Sequence, residues 1–151
     1  MTTHERIRQI FLQPKQSYRL AEAANLLEYS DEQMLTAVAT GDISIESGDS
    51  LPRVPWEEIA LAAAERWPQD VIEDALASDA AVTLPELVRL TDLHVRVPRF
   101  GVLVLGRIAQ RDGTTVNAVV ARQLLDLAVA NADTLEQSIS GIGAAIRWPL
   151  T

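Results

Sequence analysis

The chain holds few side chains suited to covalent chemistry: cysteine is absent and there are two histidines, His4 and His94. His4 falls in a terminus expected to fray, and no serine, histidine and carboxylate set, phosphate-binding glycine loop or metal-ligand spacing accompanies either. An enzyme is therefore the least favoured class, and no cofactor or metal is called for. The residues with recognisable chemistry are Asp92, His94 and Arg96, which alternate with Leu93, Val95 and Val97. In a strand, the period of two buries the three apolar side chains and sets an acceptor, an imidazole and a guanidinium in a row on the other face. Such a row suits recognition by hydrogen bonds and charge. The plainer reading, open at this point, is the solvated face of an edge strand.

A single proline divides this strand from two helical segments. Pro98 ends the strand and suits the first turn of a helix. Val104, Leu105, Ile108 and Ala109 then keep amphipathic helical spacing as far as Asp112 and Gly113, where glycine supplies the cap. Thr114 or Thr115 can cap a second helix, which carries Val116, Val119, Val120, Leu124, Leu127 and Ala128 and runs to about Ala132. A lone short strand cannot satisfy its own backbone groups. The simplest supplier is a second copy of the chain, giving an antiparallel ribbon in an intertwined homodimer.

From Asp92 to Leu125 this order, with Arg96 outward, Pro98 after the strand, Gly113 at the turn and Thr115, Val116 and Asn117 opening the second helix, resembles the ribbon-helix-helix (Arc-like) family of DNA-binding proteins. The resemblance implies that the ribbon enters the major groove and that Asp92, His94 and Arg96 read base edges. Arginine geometry favours a bidentate contact to guanine, histidine can donate or accept, and a carboxylate accepts only from cytosine. It also implies that amides of Thr115, Val116 and Asn117 hold a backbone phosphate, as a helix N-terminus can. Plain helix capping by these residues is compatible with that role. Gly101 departs from the family, standing where a larger core residue is usual, with Phe100 available to fill the space.

Upstream, Leu20, Ala23, Ala24, Leu26 and Leu27 mark a short helix, and Ser30 caps another carrying Met34, Leu35 and Val38 that Gly41 stops. Ile43 and Ile45 alternate as a strand, Gly48 and Asp49 turn, and Val54 returns before Pro55 opens a helix through Trp56, Ile59 and Ala63. The segments LAEAANLL, YSDEQMLTAVATGDI and RVPWEEI resemble excisionase and MerR-type winged helix-turn-helix domains. That resemblance implies a recognition helix at residues 30–40. Its chemistry fits DNA poorly: Asp31 and Glu32 lead it, no lysine or arginine lies on it, Glu46 and Asp49 lie in the wing, and Glu28 replaces the usual turn glycine. Gln33, Thr36 and Arg53, with Arg19, remain as a second surface for DNA or a protein partner.

The expected organisation is mainly α: a winged helix-turn-helix over 1–66, a helical connector over 67–91, a ribbon-helix-helix over 92–132 and an apolar tail over 133–151. The connector buries Val71, Ile72, Ala75 and Leu76, begins a shorter helix at Pro85, and packs against Trp56 and Trp67; it lacks the Gly and Ser of a loose tether. The tail keeps Leu135, Ile139, Ile142, Ile146, Trp148 and Leu150, which need cover from the dimer itself or from a protein partner.

Charge locates the reader. The chain carries −8, yet residues 1–91 hold 7 basic and 16 acidic side chains, whereas 92–132 hold five arginines against three aspartates. Phosphate neutralisation supplies most non-specific affinity for DNA, so the basic excess falls where the reader is expected. No apolar run approaches the ~20 residues of a membrane span, and the start MTTHERIRQIF is too polar for a secretory signal, so the expectation is a cytoplasmic protein without membrane contact. The function these features favour is a homodimeric transcriptional regulator binding a palindromic operator, with autorepression and a toxin partner being the family's common pattern. The alternative is a protein-interaction adaptor with a vestigial DNA-binding fold.

Overall fold

A computed structural model describes residues 1–48 and 50–150 and divides them into two compact units, Met1–Arg89 with Leu150, and Leu90–Pro149. The fold is mainly helical with one small two-stranded antiparallel sheet.

The first unit opens with a helix where a frayed terminus is expected. In α1 (Thr3–Leu12), Thr2 and Glu5 form a reciprocal capping box: Glu5 N donates to Thr2 Oγ1 at 3.2 Å and Thr2 N to Glu5 Oε2 at 2.6 Å. Its inner face buries Ile7, Ile10 and Phe11. The chain continues through β1 (Ser17–Arg19), α2 (Leu20–Leu26), α3 (Asp31–Thr40), β2 (Arg53–Pro55), α4 (Trp56–Arg66), α5 (Gln69–Leu76), a short 3-10 turn and α6 (Ala80–Thr83). Ser30 and Gln33 cap α3 reciprocally, and Gly41 ends it left-handed at φ 83°.

The sheet differs from the expected wing. β2 pairs antiparallel with β1, with Tyr18 opposite Val54 and both fully buried. Ile43 and Ile45 form no strand: Ile43 N bonds back to Ala37 O at 3.1 Å and Ser44 N to Glu58 Oε2 at 2.9 Å, which ties this stretch to α3 and α4. The hairpin survives as a single bridge, Glu46 to Arg53. Of the expected turn, Gly48 lies among the described residues and Asp49 outside them. Leu35, expected on the buried side of α3, is 61% exposed, because Met34 takes the inward position.

The expected connector belongs to this unit, whose boundary lies at Arg89 and not at residue 66. α5 packs along α1, and Ile72, Ala75 and Leu76 join the core. Arg8 of α1 caps α5, donating to Ala75 O at 3.1 Å and Leu76 O at 3.2 Å while pairing with Asp79 at 2.7 Å. Trp67 is buried, and the Trp56 indole donates to Ile10 O at 2.8 Å. These bonds connect residues more than 40 positions apart, beyond the reach of local sequence patterns.

In the second unit the two long helices follow their local boundary signals. After Pro98 comes α7 (Arg99–Asp112), ended by Gly113 at φ 64°, and then α8 (Val116–Ala130), capped by Thr115, whose Oγ1 accepts from Ala118 N at 3.1 Å. The open choice between Thr114 and Thr115 falls to Thr115, whose hydroxyl makes this cap, while Thr114 N closes the end of α7 on Ala109 O at 2.9 Å. α7 packs on α8 and buries Ala109 and Val119. Two short helices, α9 (Ala132–Leu135) and α10 (Ile142–Arg147), form the tail, with the Glu136 carboxylate accepting from Gly141 N at 3.2 Å and Gly143 N at 2.8 Å.

One expected element is missing within the single chain: residues 90–98 carry no strand ladder. No other described segment of this unit offers a strand edge to them.

Candidate nucleic-acid interface

Asp92, His94 and Arg96 are exposed, and among the described residues their side chains make no hydrogen bond or ion pair. The apolar residues between them are just as uncovered: Leu93 is 67%, Val95 65% and Val97 49% exposed. Apolar surface left open on both helices adds to this, with Phe100, Val104, Val116, Leu124 and Leu127 all exposed.

The corner between α7 and α8 is held by charge. Asp112 takes Arg111 Nε at 2.8 Å and Arg122 Nη2 at 3.0 Å, so the end of α7 is clipped to the second turn of α8. The Arg111 hydrogen bond, then that of Arg122, holds the Asp112 carboxyl down at about 2, and the same pairing with Asp112 raises the Arg111 guanidinium. This clip, the left-handed Gly113 and the Thr115 cap fix the direction in which α8 starts. Thr115, Val116 and Asn117 sit at that start and are exposed. Thr115 Oγ1 accepts within its own helix, and the first main-chain N–H groups, together with the exposed Asn117 side-chain amide, are donors this end can offer an anion.

The second candidate surface is partly spent on structure. Arg53 Nε donates to Ser17 Oγ at 2.6 Å and its Nη2 to Ser17 O at 2.9 Å, binding β2 to β1. The Gln33 side chain serves the α3 cap. Thr36 is free to face a ligand, on the rim of a shallow cavity of about 460 Å³ shared with Tyr29, Glu32, Gln33, Asp42 and Glu65. Three carboxylates around this opening make it a poor seat for phosphate. The Arg66 guanidinium lies 5.3 Å from the Tyr29 ring centre, on the side of α4.

Sequence reasoning passes over Arg99 and Arg107. Both are exposed on α7 without a side-chain partner among the described residues. Their spacing from Arg96 is visible in the sequence, but that other cations are consumed within the chain is not. Among the described residues no cluster of three or more metal-ligating side chains is present, and no helix is long and apolar enough to cross a membrane. Compared with protein-family models, curated proteins and solved structures, the chain matches none.

Proposed function

We propose that the chain is a homodimeric, sequence-specific DNA-binding regulator of transcription that reads the major groove with a two-stranded ribbon made from residues 92–97 of each copy. The observation that carries this reading is the alternation in that segment: Leu93, Val95 and Val97 exposed without cover, Asp92, His94 and Arg96 exposed without partners, and no strand ladder along the backbone. An antiparallel second copy satisfies the backbone, covers the three apolar side chains and leaves the polar row facing outward. Arg96 makes the bidentate contact to guanine, with His94 and Asp92 beside it. Main-chain amides of Thr115, Val116 and Asn117 hold a phosphate on each flank. Autorepression is the regulatory form this takes, tested by gel shift on the DNA upstream of its own gene. Unchanged binding by Arg96→Ala and His94→Ala removes the ribbon from the mechanism.

A toxin-neutralising role is compatible with the apolar residues that lie off the main stripe of α7, Val102 and Leu103, and with Ile139 in the tail, all exposed. Growth arrest on expressing a small neighbouring reading frame alone supports that role, and its absence removes it. The acidic rim of Glu32, Asp42 and Glu65 favours a second reading, an adaptor that meets proteins through the first unit. This predicts no salt-dependent affinity for DNA.

A further inference from the structure

The chain's cations are unevenly available. Among the described residues, Arg6, Arg8, Lys15, Arg66, Arg111 and Arg122 are paired with carboxylates, and Arg53 is bonded to Ser17. Arg19, Arg89 and Arg147 lack such pairs but are scattered along the sequence. Arg96, Arg99 and Arg107 also lack them, are exposed, and fall within twelve residues that contain no acid.

Helical geometry orders this group further. At about 100° per residue, Arg99, Leu103, Gly106, Arg107 and Gln110 share one side of α7, opposite Val104, Leu105 and Ile108. The apolar side is the one a second copy covers, so the arginine side faces away from that core. Gly106 lies within the arginine side, and a Cβ built there meets nothing within 4 Å. Glycine in a helix interior weakens the helix, and no packing among the described residues requires it here. What it does provide is room for a chain to approach the helix closely between the two arginines.

We infer that Arg99 and Arg107 form a phosphate clamp on the outer side of α7, which extends the DNA contact beyond the reading ribbon and the start of α8. The inference rests on the proposed DNA-binding role. Its ligand is the sugar-phosphate backbone, so the clamp adds affinity without sequence preference. Gln110 adds a neutral donor to the same side.

The test is binding of the full chain to two probes, a duplex from upstream of its own gene and a duplex of mixed sequence, over a range of salt. Arg99→Gln and Arg107→Gln are each expected to lower the slope of log affinity against log salt by about 1, with equal losses on both duplexes. Arg99→Lys and Arg107→Lys are expected to retain the slope, because a phosphate accepts a point charge. An unchanged slope in both glutamine variants overturns the clamp, as does a loss confined to the upstream duplex or one that lysine fails to rescue. A wild-type chain with no salt-dependent affinity for either duplex overturns the underlying DNA-binding role instead.

Discussion

Glu28 and Arg6 meet at 3.2 Å across 22 residues of chain, and the carboxylate that makes this contact belongs to a residue whose backbone is left-handed, at φ 56°. The same carboxylate accepts from Thr3 Oγ1 at 2.6 Å and lies 3.7 Å from Arg66, whose Nη2 also donates to Glu28 O at 3.2 Å. The turn between α2 and α3 thus exchanges the conformational ease of glycine for bonds to α1 and α4. The two effects oppose each other and can be separated by substitution. Glu28→Ala keeps the strained backbone and loses partly exposed ion pairs worth about 1 kcal/mol, so it is expected to lower stability by that order. Glu28→Gly also relieves a left-handed penalty of about 1 kcal/mol and is expected to stay near wild type. Chemical denaturation of the three proteins decides this, and an alanine variant as stable as the glycine variant contradicts it.

Asp112 carries a pH dependence whose sign is set by its two arginine partners. Its folded value of about 2 lies below the ordinary 3.8, so its contribution is fully present above 3.8 and is lost as pH falls toward 2. Asp112→Asn is expected to melt below wild type at neutral pH, with the gap closing as the pH is lowered through that window. Thermal unfolding at several pH values measures it. A gap independent of pH contradicts the charge clip.

Thr115→Ala removes the cap of α8 and is expected to cost about 1 kcal/mol of stability. It also frees Ala118 N at the helix start. Because main-chain amides, not the hydroxyl, are the proposed phosphate donors, DNA affinity is expected to fall by no more than the loss of folded protein explains. Parallel denaturation and binding titrations check both parts.

How far these elements can be read from sequence depends on distance along the chain. Pro98, Gly113 and Thr115 act on adjacent backbone, and both ends of α7 and the start of α8 fall where those residues place them, while α8 ends at Ala130, short of the expected Ala132. Thr2 and Glu5 form an equally local signal for α1, with Ile7, Ile10 and Phe11 at helical spacing behind it, and the expectation of a frayed terminus overlooks that signal. The pairing of β1 with β2 and the seating of α5 on α1 rest on Tyr18 with Val54 and on Arg8 with Asp79, contacts made only in the folded unit. The role of Arg53 is hidden for a related reason: a cation looks available until its partner, here Ser17, is known.

Val95 is the inward residue at the centre of the proposed ribbon. Val95→Glu places a charge where two copies meet and is expected to give a monomer by sedimentation, with the helical circular dichroism of the first unit retained. A dimer undisturbed by this change places the contact between copies elsewhere.

The most direct measurement is footprinting of the purified chain on DNA upstream of its own gene, run beside Arg96→Ala. The ribbon account expects two symmetry-related protected half-sites for the wild type, with protection lost in the variant at positions where a guanine is read. Absence of protection, or an identical footprint from both proteins, contradicts it.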